Sequence, residues 1–188
     1  MRHLITLLAI ATFIGLPYRS FSGNEKSKRF LQFEGRIFQT GMDVRCSKKI
    51  LDSAFIFIYD EKKMTTDTVM TSYQGNYGFR LPLNSQFMIT VSKKGFVSKK
   101  LHANTHVPVF SKGENTMEFE MDLYKEVKDI DVSILDKPVA DIYFNSKSKS
   151  FDYNRTYTDQ VNRKLKTSYS VYYHKMEKPK ALVVKTKW

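Results

Sequence analysis

SYQGNYGFRLPLNSQFMITVSKKGF, residues 72–96, is the stretch whose reading decides the fold. Its glycines suggest a phosphate-gripping loop, but such a loop hands over to a helix whose first amides face the anion. Here each glycine is followed by strand-type residues. Gly75 sits between two strand-like segments, where a residue free to take positive φ closes a hairpin, and Gly95 marks the next corner after Lys93 and Lys94. Pro82 cannot donate to a sheet ladder, so NYGFRLP ends there. QFMITVSK then sets Phe87, Ile89 and Val91 against Met88, Thr90 and Ser92, the period of a strand.

The same grammar runs outward in both directions. LQFEGRIFQ (31–39) alternates around Gly35, and TDTVMTSY (66–73) is β-branched. AFIFIYD (54–60) is a continuous apolar run with Phe55, Phe57 and Tyr59 at every second position, as expected of a strand buried on both faces. TMEFEMDLY (116–124) alternates Met117, Phe119, Met121 and Leu123 with Glu118, Glu120 and Asp122, a strand with one wet, acidic face. About six or seven short strands, turn signals about every 8–12 residues and no convincing helix before residue 150 predict a mainly β, antiparallel sandwich. A chain of 188 residues with 41% hydrophobic content buries one main core.

The order of these blocks carries a resemblance. Gly35-Arg36-Ile37, then Ile50 to Ile58, then Thr71 with Gly75-Asn76-Tyr77-Gly78-Phe79, then Leu81-Pro82, Phe87 to Val91 and Lys94-Gly95-Phe96 resemble the carboxypeptidase regulatory-like domain. The resemblance covers about residues 33–123. It departs at the basic loop MDVRCSKK and at Phe96, where tyrosine is commoner. It implies a seven-stranded, prealbumin-like sandwich with no catalytic residues. Such modules occur on peptidases, outer-membrane transporters and envelope proteins, especially in Bacteroidota. A fainter resemblance joins KPVADIYFN and FDYNRTY to a segment that follows such sandwiches in small exported Bacteroidota proteins, and Asp52-Ser53-Ala54 and Asp67-Thr68-Val69 are similar to that group's O-glycosylation acceptors.

The opening MRHLITLLAIATFIGLPYRSFSG places Arg2 and His3 before an apolar run, Leu4 to Leu16, with small residues at Ser20 and Ser22. This pattern predicts a secretory signal peptide over 1–22; thirteen helical residues span about 20 Å, short of the roughly 30 Å hydrocarbon core. No later run is apolar enough to cross a membrane, so no transmembrane segment is expected after signal removal. Cys46 is the one cysteine, which excludes an internal disulfide; flanking Arg45, Lys48 and Lys49 would favour its thiolate, but RCSKK supplies no base.

Chemistry finds little support. His102 and His106, four apart, would share a helix face as metal ligands, but on a strand they lie about 13 Å apart. Asp129, Asp131 and Asp136 lack the glycine and oxygen density of a calcium loop. The expectation is no enzyme, no cofactor and no metal.

Charge concentrates late. Residues 23–144 hold 18 basic and 16 acidic groups, net +2, whereas residues 145–188 hold 11 and 3, net +8. The predicted plan is a linker over 23–32, the sandwich over 33–124 and a basic extension over 125–188, in which ADIYF forms a short strand and Asn154 caps an amphipathic helix. Tyr157, Val161, Leu165, Tyr169 and Tyr172 or Tyr173 form the helix stripe, with Arg163, Lys164 and Lys166 elsewhere. The stripe serves either core packing or a partner. The tail KMEKPKALVVKTKW ends in Trp188 and reads as an edge strand, a basic arm or a contact for an anionic surface. The candidate contacts for a partner or glycan are Arg163, Lys164, Lys166, Tyr169, Tyr172, Tyr173 and Trp188. The expected role is that of an exported envelope subunit, periplasmic or outer-membrane-associated, with a protein partner in a secretion or gliding machine. The alternative is a glycan-binding module; anionic glycan or lipopolysaccharide suits the basic segment, and nucleic acid is not expected.

Overall fold

The computed structural model describes residues 30–40, 48–108 and 115–177. The expected signal segment, Cys46, the side chain of Tyr173 and the tail with Trp188 lie outside the described residues. The chain is mainly β, two sheets face to face around one core, with a helix after the strands.

The first sheet is built around β1 (Phe30–Gln39). β5 (Asn76–Pro82) runs antiparallel along most of its length and β2 (Lys49–Ile50) completes that side. β8 (Asn115–Glu118) and β9 (Met121–Leu123) pair with its other side in parallel. The TMEFEMDLY segment therefore pairs as two strands broken at Phe119 and Glu120. Gly35 explains the break: the chain turns in so closely that a Cβ on Gly35 would sit 2.2 Å from the Phe119 carbonyl oxygen. The Phe119 amide donates to the Glu34 carbonyl at 2.9 Å, and the buried Tyr77 hydroxyl donates to the Phe119 carbonyl.

The second sheet has six strands, in the order β11 (Ser150–Tyr153), β10 (Ala140–Asn145), β7 (Lys99–Asn104), β6 (Gln86–Ser92), β3 (Phe55–Asp60) and β4 (Thr65–Met70). β10 joins β7 in parallel, so the first strands of the basic extension continue the sheet. One expectation is corrected here. β3 is buried on one face only: Ile56 and Ile58 enter the core, whereas Phe55, Phe57 and Tyr59 point outward and are exposed. The opposite sheet covers a single face of its partner, so alternation along β3 follows the pleat.

Gly75 and Gly95 take positive φ, +71° and +81°, as turn residues. The Gly75 turn is not a hairpin, however, because β4 and β5 belong to different sheets and the chain crosses the sandwich there. Between the sheets lie Leu31, Phe33, Ile37, Ile56, Leu81, Ile89, Leu101, Leu123 and Ile142, all essentially inaccessible. Among the described residues no helix is long and apolar enough to cross a membrane.

Candidate functional site

The helix α1 (Arg155–Glu177) follows β11 directly. Asn154 caps it, its side-chain oxygen accepting from the Tyr157 amide at 3.1 Å, and Arg155 pairs with Asp152 at 3.5 Å. The first turn is then latched to the strand entering the sheet: Tyr157 donates its hydroxyl to the Pro138 carbonyl at 2.9 Å, and Thr158 donates to Val139 at 3.0 Å. Val161, Leu165 and Tyr169 are buried in the core. Tyr169 donates to the Lys125 carbonyl at 2.7 Å, and its ring lies 4.6 Å from that of Tyr124.

This geometry sorts the residues singled out from the sequence. Arg163, Lys164 and Lys166 are exposed on the side of α1 away from the core. Tyr172 is half-buried, and Tyr169 is a core residue whose ring is not offered to a partner. Arg163 and Lys164 face a groove of about 850 Å³ between α1 and a short 3-10 helix, Ser133–Asp136. Lys137 adds a third cation, and Asp131 and Asp136 add two carboxylates. The Ser133 amide, donating at 2.9 Å, holds the Asp131 carboxyl below its ordinary value. Mixed charges and hydroxyls from Ser133, Thr167 and Ser168 suit a polar, charge-patterned ligand.

The two histidines have different partners: His102 Nδ1 meets Asp141 at 3.3 Å, while His106 Nδ1, beyond the end of β7, meets the Asn104 side chain at 2.7 Å. Among the described residues no group of three His, Cys, Asp or Glu side chains converges. Lys99 was not singled out. It enters the core at the start of β7, 2% exposed, with its Nζ 5.1 Å from the centre of the Tyr124 ring. Burial lowers its pKa to about 8, against the pull of Asp122. The outward aromatics of β3 were also missed as a surface, although strict aromatic–aliphatic alternation was the available signal.

No family model matches this chain, and no curated protein sequence matches it. Among solved structures it is similar to 3-chlorocatechol 1,2-dioxygenase from Rhodococcus opacus 1CP, at 10% identity, covering 55% of this chain and 62% of that one, with a TM-score of 0.41. Catechol 1,2-dioxygenase from Acinetobacter sp. ADP1 gives 14% identity, 62% and 59% coverage and a TM-score of 0.40. The Bacillus anthracis TIE protein gives 17%, 50% and 18%, with a TM-score of 0.37. The chain spans less than two thirds of each of these proteins, and likenesses this distant transfer no chemistry.

Proposed function

We propose that this chain is a non-enzymatic, exported envelope subunit of the carboxypeptidase regulatory-like type that binds another envelope protein through the basic side of α1. The observation that supports this reading is the division of α1 into a buried side, Val161, Leu165 and Tyr169, and an exposed side bearing Arg163, Lys164 and Lys166. A helix anchored by its apolar side holds its cations at fixed spacing, so docking costs less ordering entropy than a free basic arm would. The expected address is the periplasm or outer membrane, and a secretion or gliding machine is an assembly this role fits. No cofactor or metal takes part.

Affinity capture from native envelope extract tests the proposal, using the full chain and a variant combining Arg163→Glu, Lys164→Glu and Lys166→Glu. Defined membrane proteins that resist high salt on the parent chain and are lost on the variant are expected. Recovery of polysaccharide alone, or of nothing salt-resistant, overturns the protein-partner reading in favour of an electrostatic contact with anionic glycan or lipopolysaccharide. Charge reversal is a cleaner probe than truncation at Lys125, which would also remove β10, β11 and the buried residues of α1.

A further inference from the structure

The outer face of the six-stranded sheet carries an uncharged lane three strands wide. Phe55, Phe57 and Tyr59 form its centre on β3, 46%, 38% and 36% exposed. Cross-strand register sets Met70, Thr68 and Thr66 of β4 on one side and Ser92, Thr90 and Met88 of β6 on the other. The chain has a net charge of +12, yet none of these nine positions is charged; Lys100 lies one strand further out, beside Thr90. The Phe55 and Phe57 rings stack with centres 6.2 Å apart. The hydroxyls of Thr66, Thr68 and Thr90 hydrogen-bond to no other described residue.

We propose that this lane binds a neutral polysaccharide, laid along β3 with sugar faces on the three rings and sugar hydroxyls on the threonines of β4 and β6. A pyranose has an apolar C–H face and a rim of hydroxyls, and the Phe57 ring, bordered by the hydroxyls of Thr68 and Thr90, matches both. Same-face residues on a strand repeat at about 6.6 Å, the scale of one sugar unit. A protein surface matches less well at the centre of the lane, because an apolar side chain covering Phe57 would strand the hydroxyls of Thr68 and Thr90. A second copy is also disfavoured: three partly exposed rings offer on the order of 250 Å², and even with Met70, the other strongly exposed apolar side chain of the lane, this falls short of the roughly 800 Å² per partner in a stable interface. The missing charge selects a neutral over an anionic chain. This site shares no residue with α1 and does not depend on the role assigned to that helix.

Calorimetry of the full chain with neutral gluco-, manno- and xylo-oligosaccharides, and with an oligouronate, decides the matter at low and at high salt. The expected result is that at least one neutral oligosaccharide binds with an affinity that salt leaves unchanged. Phe57→Ala should weaken it about tenfold, the loss of one stacking platform, and Phe57→Tyr should restore it. The α1 charge-reversal variant should bind the sugar normally, so that failure at one surface is not read as failure at the other. If circular dichroism finds Phe57→Ala misfolded, Thr68→Val probes the same lane and should also weaken binding. The proposal is overturned by no binding across the neutral panel, by binding confined to the oligouronate, by unchanged affinity in a folded variant, or by a dimer in sedimentation that Phe57→Ala dissociates.

Discussion

β3 and α1 both repeat aromatic side chains at the period of their own backbone. On β3 the step is two residues, Phe55, Phe57 and Tyr59; on α1 Tyr157, Val161, Leu165, Tyr169 and Tyr172 recur at three or four. The expectation from sequence put β3 wholly inside and left the α1 stripe to either core packing or a partner. The structure opens the first and closes the second, because Phe55, Phe57 and Tyr59 meet solvent while Tyr169 is buried against Tyr124. The lesson is that a periodic stripe marks a face, and only a neighbouring layer decides whether the face is covered. α1 packs its stripe against the segment between β9 and β10, through Lys125, Pro138 and Val139. The outward side of β3 meets no such layer among the described residues.

Substitutions break this contrast in graded fashion. Leu165→Ala, inside the covered stripe, should cost about 3 kcal/mol in denaturant unfolding; a loss below about 1 kcal/mol would mean that the stripe is not part of the core. A buried cation sharpens the contrast with the exposed cations of α1. Lys99 has a folded pKa of about 8 against an ordinary 10.5, so between these values the unfolded chain binds more protons and stability rises with pH. Burial also raises the pKa of Tyr77 and of Tyr124, which works the other way as pH approaches and passes about 10. Stability should therefore climb by about 2 kcal/mol from pH 8 to 10, and Lys99→Met should flatten the climb in urea titrations run across that range.

Tyr169→Phe keeps the ring and deletes the hydroxyl bound to the Lys125 carbonyl, for an expected loss of about 1 kcal/mol. Equal thermal midpoints for the two proteins would show that ring packing alone holds the helix. Phe57→Ala, on the open stripe, should change stability by less than about 1 kcal/mol. A loss as large as that at Leu165 would reveal a covering layer on β3 and erase the contrast.

Much of the local fold was legible in the sequence. Strand positions followed from alternation and from Pro82, the corner glycines from their neighbours, and the helix start from Asn154, because each depends on residues a few positions apart. Gly35 also lay in view, but its reason, the Phe119 carbonyl pressed against it, comes from more than eighty residues away. The pairing of β10 with β7 and the split of β8 from β9 are long-range in the same sense.

The candidate surfaces divide along the same line. The exposure of Arg163, Lys164 and Lys166 was readable from helical period and charge, since cations opposite an apolar stripe remain in water. The groove that Arg163 and Lys164 line needed the 3-10 helix beside α1, and the burial of Lys99 needed Tyr124 brought over it. By itself, then, the sequence determined the elements and the two sides of each, because backbone period and side-chain chemistry are local. The tertiary structure alone decided which side became core and which stayed open, because burial belongs to the contact between layers.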